Sequence, residues 1–261
     1  YVSTYLGNDH NSIPSKFYEV RRITRNDLDI TQVTESILEK FLRPKSDDIV
    51  INCAGTVKPR VDELGSMNAI LANSLFPHRL SSFCEKFGIK MIHITTDCVF
   101  SGEKGSYTEE DKHDVCDVYG RTKSLGEPGN CTVIRTSIIG EEFNQTRSLI
   151  EWVKSRRDKD ANGFTNHYWN GVTCLQLSKI IGEMIDRNIF WNGVRNIYSP
   201  NSVNKYELLN IINKVYDLNI DISSVEAKDS IDRTLSSKYS LNFEIPTLEK
   251  QIEEMKKFFG N

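Results

Sequence analysis

Two side chains four residues apart, Tyr119 and Lys123, form the pair in this sequence that is best suited to proton transfer. Positions i and i+4 of a helix share one face, so the lysine ammonium is expected to lie beside the phenol. A cation at that place favours the phenolate and lowers the tyrosine pKa, so the phenol can exchange a proton with a carbonyl or an alcohol near neutral pH. Thr96 can supply a second hydrogen bond to the same oxygen.

The position of this pair in the chain strengthens the interpretation. Tyr-x-x-x-Lys is common by chance, and alone it indicates a solvated helix face with an aromatic anchor. Here the pair follows a β-branched run that ends in Thr95, Thr96 and Asp97, inside a strand–helix–strand pattern. Ligands of doubly wound sheets bind at the carboxyl ends of the strands. We therefore predict Thr96, Tyr119 and Lys123 as catalytic residues.

The elements around this pair alternate between strands and helices. Runs rich in β-branched residues predict strands over 17–24, 48–53, 90–96, 131–137 and 194–198. Three of these runs are almost continuously apolar at their centres, which is typical of parallel strands buried on both faces. Helical periodicity predicts a helix capped by Thr31, a helix over 73–87, and three more near 145–157, 173–186 and 204–216.

This order predicts an α/β protein with a Rossmann-type doubly wound parallel sheet. Residues 1–140 are expected to form the Rossmann-type domain, and residues 141–261 a smaller, mainly helical C-terminal lobe. The strand near 194–198 is expected to return to the main sheet.

Composition excludes several classes of protein. The 261 residues are 38% hydrophobic and 26% charged, which is typical of a globular protein. A formal net charge of −3 argues against a dedicated nucleic-acid binder, and no apolar run approaches the ~20 residues of a membrane helix. Six cysteines without a Cys-x-x-Cys pair favour a reducing compartment, the cytoplasm. His113 and Cys116 have metal-like spacing but lack a second pair, so no metal site is predicted.

Several segments together resemble the extended short-chain dehydrogenase/reductases, and within them the dTDP-4-dehydrorhamnose reductases and related nucleotide-sugar reductases. Residues 95–102 resemble the Ser-Thr-Asp-Tyr-Val-Phe-x-Gly segment of that group, and residues 118–127 match its catalytic helix. Residues 25–31, 51–55, 72–73 and 133–137 resemble its cofactor-binding turns and strand ends. The likeness is strongest over residues 49–137.

The resemblance implies NAD(P)H-dependent reduction of the C4 keto group of a nucleotide-activated 4-keto-6-deoxyhexose. Tyr119 would donate a proton to the O4 alkoxide, Lys123 would lower the Tyr119 pKa and hold the nicotinamide ribose, and Thr96 would orient the keto oxygen. The cofactor-binding residues are then expected to be Arg25, Asp29, Ile30, Cys53, Ala54, Gly55, Asn73, Thr95, Tyr119, Lys123 and Ser137. Asp97, Val99 and Phe100 are expected to contact the substrate.

Arg25 favours NADPH over NADH, because an arginine after the second strand of a Rossmann sheet can accommodate a 2′-phosphate; the alternative is a surface arginine. Asp29 is expected beside the adenine, although a helix-capping turn explains it nearly as well. Residues 166–173 are the candidate wall of the substrate site, with Asn166, Trp169 and Asn170 as contacts. Packing inside the lobe is the competing explanation for this segment.

The sequence departs from the group in four places, one of which is the segment of residues 166–173, which differs from the commonest pattern of the group. The glycine-rich turn that should hold the pyrophosphate is absent, and we expect it in an N-terminal piece preceding Tyr1. Cys98 replaces the usual tyrosine, and Ile138 stands where relatives often carry tryptophan. The identity of the sugar is therefore less constrained than the chemistry.

Alternative functions stay open at this point. One is reduction of a UDP-linked deoxy or amino sugar. Another is a non-catalytic nucleotide-binding regulatory subunit that resembles the methionine adenosyltransferase β subunit. The intact set of Thr96, Tyr119 and Lys123 favours an enzyme. The expected partner is a nucleotide sugar, not a nucleic acid or a membrane, and a homodimer is one option for assembly.

Overall fold

The computed structural model describes residues 18–142, 148–240 and 242–260. In chain order its elements are α1 (Glu35–Leu42), β1 (Ile49–Asn52), α2 (Lys58–Ala69), a π-helical segment (Ile70–Leu75), α3 (Phe76–Lys86), β2 (Lys90–Thr96), a 3₁₀ turn (Asp97–Val99), α4 (Val118–Ser124), β3 (Thr132–Thr136), β4 (Ile138–Ile139), α5 (Leu149–Lys154), β5 (Asp160–Phe164), β6 (His167–Trp169), β7 (Val172–Thr173), α6 (Cys174–Asp186), β8 (Gly193–Asn196), β9 (Val203–Asn204), α7 (Lys205–Tyr216), β10 (Asp221–Val225), β11 (Ile231–Asp232) and α8 (Leu248–Phe259).

A parallel sheet of four strands in the order β1-β2-β3-β8 forms the centre of the molecule. Ile51 lies opposite Ile92, and Val133 lies opposite Val194. The strand expected near 194–198 occupies Gly193–Asn196 and pairs in parallel with β3. All four carboxyl ends therefore meet at one edge of the sheet, as the predicted Rossmann-type architecture requires.

Helices cover both faces of this sheet, because neighbouring residues of a strand point to opposite sides. Met91 packs in a core that includes residues of α1 and α3, whereas the adjacent Ile92 packs in a core built largely on α6. Val133 and Ile134 of β3 divide between the same two cores. This burial explains the almost continuous apolar runs in the central strands, and it confirms the doubly wound fold.

Two local predictions near the start of the described chain are wrong. No strand forms over residues 18–24, where Val20 is 37% and Ile23 is 38% exposed. A β-branched run becomes a strand only when a neighbouring backbone pairs with it, and no described segment pairs with this one. Helix α1 is capped by Thr34, whose hydroxyl accepts a hydrogen bond from the Ile37 amide, and not by Thr31.

The second half of the chain packs around its own hydrophobic core, formed mainly by α5, α7 and α8. Helix α8 was not predicted from the sequence. Short strands accompany the helices: β5 pairs with β10, β6 pairs with β11 and β9, and β4 pairs with β7. In the part of the chain that the structure describes, no helix is both long and apolar enough to cross a bilayer.

Candidate active site

Thr96 ends β2 and starts the turn that forms the floor of the site. Its hydroxyl accepts a hydrogen bond from the Cys98 amide at 3.1 Å and donates one to Asp97 Oδ1 at 3.1 Å. A threonine at this place satisfies an amide that the strand leaves unpaired, so it ends the strand and begins the 3₁₀ turn. The Thr96 hydroxyl is thereby held at the carboxyl end of a central strand.

Helix α4 approaches this turn closely enough to bring Tyr119 beside Thr96. The helix begins where the Asp117 carboxylate accepts a hydrogen bond from the Gly120 amide at 2.9 Å. A Cβ atom on Gly120 would lie 2.4 Å from the Cys98 carbonyl oxygen, so only glycine permits this approach. The glycine that follows Tyr119 is therefore part of what positions the phenol.

Burial raises the pKa of Tyr119 above its ordinary value of 10.0. Negative charge at Cys98 and Asp97 acts in the same direction, and a hydrogen bond with Thr96 opposes it. The expectation that Lys123 lowers this pKa below its ordinary value is therefore wrong for the structure. The phenol is protonated at neutral pH, which is the form able to donate a proton.

The Lys123 ammonium lies in a buried position between the sheet and the loop after β1. The residue is 7% exposed, and its Nζ donates to the Ile94 carbonyl at 3.3 Å. Burial lowers its pKa from 10.5 to about 8, while the negative charge of Glu127 opposes this shift. Lys123 therefore stays largely charged at neutral pH despite its burial.

The loop after β1 offers an exposed backbone directly beside Lys123. Cys53, Ala54 and Gly55 are exposed, and the Ala54 amide is held by Asn52 Oδ1 at 3.0 Å. Asn52 in turn donates to Nδ1 of the buried His93 at 3.0 Å. Burial and the Lys123 charge lower the pKa of His93 to about 3, so the imidazole is neutral and can accept this bond.

Asn73 holds the far side of the same loop. It lies in the π-helical segment, is 1% exposed, and clips the Thr56 backbone by accepting from its amide at 2.7 Å and donating to its carbonyl at 3.0 Å. It also donates to the Thr122 hydroxyl of α4 at 3.2 Å. The segment thus ties the loop to α4, in agreement with the frequent occurrence of π-helical turns at functional sites.

These residues fit the nicotinamide-ribose half of a dinucleotide. A Cβ on Gly55 would lie 2.9 Å from Asn73 Oδ1 and 3.9 Å from Lys123 Nζ, so glycine keeps open the space in front of the ammonium. The buried Thr95 hydroxyl next to this site lacks a hydrogen-bond partner in the described structure. Ser137, from β3's end, hydrogen-bonds the Asp97 carboxyl. Among the described residues we find no glycine-rich turn that could hold the pyrophosphate half.

The residues expected at the adenine end lie in exposed turns. Arg25 is exposed in the turn between Thr24 and Asp27. The Asp29 carboxylate accepts from the Thr31 amide and hydroxyl, which lowers the Asp29 pKa, so this carboxylate stabilises a turn. Ile30 packs against the core of α1 and α3. The contact of Arg25 with a 2′-phosphate and those of Asp29 and Ile30 with the adenine stay predictions.

The structure corrects most of the expected substrate contacts. Val99 and Phe100 are fully buried, so their side chains form core and cannot meet a substrate. Trp169 is 5% exposed and packs in the core of the second half. The Asn170 side-chain amide donates to the Leu235 carbonyl and accepts from the Leu235 amide. Asn166 makes the same pair of hydrogen bonds with the backbone of Ala227. Asp97 is 3% exposed beside Thr96, and burial raises its pKa.

A buried ion pair behind the catalytic helix was missed from the sequence. Arg135 Nε donates to Glu127 Oε1 at 3.2 Å, and Arg135 Nη2 donates to Glu127 Oε2 at 2.6 Å. The same Nη2 lies 2.7 Å from His113 Nε2. The other ring nitrogen of His113, Nδ1, forms a hydrogen bond with the Ser124 hydroxyl, at 2.6 Å. These contacts fix α4 against β3, and they give His113 a structural role in the polar loop expected for it.

Two basic residues that influence the turn after β2 were also not predicted from the sequence. Lys205 begins α7, and Arg233 follows β11. Both act electrostatically on Asp97 and Cys98, the residues next to Thr96. The sequence signal that could have identified Lys205 is its position in the first turn of a helix. A cation there opposes the helix dipole and weakens the fold, so its presence needs another explanation.

Comparison of the sequence with known proteins identifies the family to which the chain belongs. Residues 10–158, more than half of the chain, match the family described as RmlD substrate binding domain. The chain is 32% identical over 150 residues to a dTDP-4-keto-6-deoxy-D-glucose reductase of Streptomyces niveus, covering 53% of this chain and 51% of the relative. It is 32% identical over 128 residues to a dTDP-4-dehydrorhamnose reductase of Mycobacterium tuberculosis, covering 45% and 41%. The chain thus spans about half the length of these curated relatives.

Solved structures show the same fold at lower identity. A dTDP-4-dehydrorhamnose reductase from Bacillus anthracis in complex with NADP superposes with a TM-score of 0.76 at 18% identity, covering 94% of this chain and 91% of that one. The corresponding reductase from Yersinia enterocolitica gives 0.78 at 17% identity, covering 99% and 94%. The match over residues 10–158 shows that the chain belongs to the RmlD substrate-binding-domain family.

Proposed function

We propose that this protein reduces the C4 keto group of a nucleotide-activated 4-keto-6-deoxyhexose with NAD(P)H. The observation that carries the proposal is the convergence of Thr96, Tyr119 and Lys123 at the carboxyl end of β2, beside the exposed loop Cys53–Gly55. The names of the matched reductases support the same chemistry. A regulatory subunit without catalysis would not need a buried lysine and a protonated tyrosine at this place.

The cofactor, when bound, supplies the hydride that C4 receives. Thr96 holds the keto oxygen through its hydroxyl and places it next to the Tyr119 phenol. Tyr119 is protonated at neutral pH because burial raises its pKa, so it can pass its proton to O4 as the alkoxide develops. Lys123 lies one helical turn away, and its charge stabilises the phenolate that remains.

The cofactor would be held by the chain at its nicotinamide end. Lys123 Nζ and the backbone of Cys53–Gly55 would contact the ribose, and Asn73 keeps that loop in place. Arg25 supports NADPH over NADH, because its guanidinium is exposed and can grip a 2′-phosphate.

The test is oxidation of NADPH and NADH by the full-length protein across a panel of 4-keto nucleotide sugars, including dTDP- and UDP-linked substrates. We expect turnover with at least one dTDP-linked 4-keto-6-deoxy sugar, and its loss in Tyr119→Phe. Turnover only with UDP-linked amino sugars would favour the first alternative. Tight nucleotide binding with no turnover on any substrate would contradict the proposal and favour a regulatory subunit.

Assembly, location and domain limits are further proposals. A homodimer and a cytoplasmic location are consistent with a nucleotide-sugar reductase. The division into a cofactor-binding part, residues 1–140, and a substrate lobe, residues 141–261, agrees with the separate hydrophobic core of the second half. The return of β8 to the main sheet joins the two parts through the backbone.

A further inference from the structure

One histidine outside the reacting set, His113, connects the loop before α4 with that helix. Its Nδ1 lies 2.6 Å from the Ser124 hydroxyl, and its Nε2 lies 2.7 Å from Arg135 Nη2. Ser124 is the last residue of α4 and directly follows Lys123. The imidazole also meets the buried Phe100 ring edge to face, with the ring centres 5.5 Å apart. His113 therefore contacts α4, β3 and the segment after β2 at the same time.

The backbone that follows His113 is fixed independently of its ring. The Asp114 carboxylate accepts hydrogen bonds from the Ser101 amide at 2.7 Å and from the Ser101 hydroxyl at 2.6 Å. The Val115 amide donates to the Val99 carbonyl at 3.4 Å. Both anchors belong to the segment after β2, so the imidazole is presented to α4 from a fixed support.

The partners of the ring determine which of its nitrogens carries the proton. A guanidinium can only donate hydrogen bonds, so His113 Nε2 must accept from Arg135. The proton of the neutral ring then lies on Nδ1, which donates to the Ser124 hydroxyl. Protonation would place an N–H on Nε2 that faces the N–H of Arg135 Nη2. Two donors cannot bond to each other, so the cationic ring loses its contact with Arg135.

The charged groups that act on this ring are Glu127, Arg135 and Asp114. Burial lowers the pKa of His113 below its ordinary value of 6.5, and the Arg135 charge acts in the same direction, whereas the two carboxylates oppose it. Glu127 Oε2 lies 3.6 Å from His113 Nε2 but already accepts from Arg135 at 2.6 Å. The hydrogen-bonded neutral ring is therefore fully present above pH 6.5 and is lost as the pH falls through the lower folded pKa.

We propose that His113 is a positioning residue, which holds α4 and its pair Tyr119 and Lys123 in place only while the imidazole is neutral. The proposal rests on the proposed function for the roles of Tyr119 and Lys123, whereas the contacts of the ring with α4 do not depend on catalysis. Glu127 extends the effect to the site, because its carboxylate is held by Arg135 and its charge keeps the Lys123 pKa higher than burial alone would.

The first measurement determines the protonation state of the ring without any substrate. Nitrogen NMR of the full-length protein with labelled histidine reports which ring nitrogen carries the proton, and the His113 signal is the one missing from the spectrum of His113→Gln. We expect a proton on Nδ1 at pH 7.5 and a pKa below 6.5. A proton on Nε2 at pH 7.5, or a pKa at or above 6.5, would contradict the contact with Arg135.

The second measurement is hydrogen exchange of the α4 amides at pH 7.5 and pH 5 for wild type, His113→Gln and His113→Leu. The glutamine amide can accept from Arg135 and donate to Ser124, but it cannot take up a proton. Compared at equal pH, wild type should match the glutamine variant at pH 7.5 and exchange about tenfold faster at pH 5, and the leucine variant should exchange faster at both. Lys112→Gln, at an exposed neighbour in the same loop, is the matched control and should behave as wild type does.

Turnover with the substrate found in the panel connects the helix to the reaction. The kcat ratio of wild type to His113→Gln should fall on acidification together with the protection of α4, with cofactor KM little changed. A constant ratio between pH 7.5 and pH 5, or equal exchange in wild type and His113→Gln at both pH values, would overturn the proposal even if His113→Leu fails to fold. Absence of turnover on every substrate, with the acid-dependent exchange of α4 preserved, would refute the reductase proposal alone.

Discussion

Replacing Lys123 by methionine should separate its cost to the fold from its role in the site. Burial lowers its pKa from 10.5 to about 8, so the folded protein releases this proton more easily than the unfolded chain does. Between these two values the unfolded chain binds more protons, and the stability of the wild type must rise with pH. Below pH 8 the buried charge costs about 3.5 kcal/mol, because each unit of pKa shift corresponds to about 1.4 kcal/mol.

The assay is urea denaturation of wild type and Lys123→Met at pH 7 and pH 9, with the difference between the two proteins as the measured quantity. Groups common to both proteins cancel in that difference. Wild type should gain about 1 kcal/mol over the variant between pH 7 and pH 9, and the variant should be no less stable than wild type at pH 7. A difference that does not change with pH, or that changes in the opposite direction, would refute the burial-based account of Lys123.

Three further substitutions test the remaining assignments. Tyr119→Phe should lower kcat by about 10²–10⁴-fold with unchanged cofactor affinity, and near-normal turnover would remove Tyr119 as the proton donor. Arg25→Ala should raise KM for NADPH by about tenfold and leave KM for NADH unchanged, whereas equal effects would make Arg25 a surface residue. Trp169→Ala should cost about 3–5 kcal/mol of unfolding free energy with substrate KM unchanged in the folded fraction. Tyr168→Ala, where the side chain is 42% exposed, is its control and should stay within about 0.5 kcal/mol of wild type.

The electrostatics of the site depend on contacts that sequence spacing does not contain. Four-residue spacing predicts that Tyr119 and Lys123 share a face of α4, and both do lie on that helix. The spacing cannot tell how deeply the helix is buried, and burial raises the pKa of Tyr119 and lowers that of Lys123. The predicted direction for Tyr119 was therefore wrong, although the residue itself fits the proton donor proposed for the reaction.

Sequence spacing likewise could not decide which of the residues predicted to contact the substrate are buried in a core. Trp169 and its neighbours are aromatic and polar, and in sequence they suit a sugar site as well as a core. Only the packing of α5, α7 and α8 around Trp169 shows that this ring belongs to the core. Arg233 carries no local pattern that links it to this site, because its contact with the Phe100 carbonyl joins segments that are 133 residues apart in the chain.

The sequence by itself determined the parallel sheet and the placement of Tyr119 and Lys123 on one helix. Strand and helix periodicities are local, since they reflect which neighbouring residues face a core, and runs such as 90–96 therefore carry their own signal. The strand expected over 17–24 does not form over its described residues. A strand also needs a paired neighbour, and that neighbour comes from a part of the chain that is distant in sequence. Tertiary structure alone decided which polar groups are buried, and therefore which of them stay charged. Desolvation and charge act through space, between segments that the linear order keeps far apart.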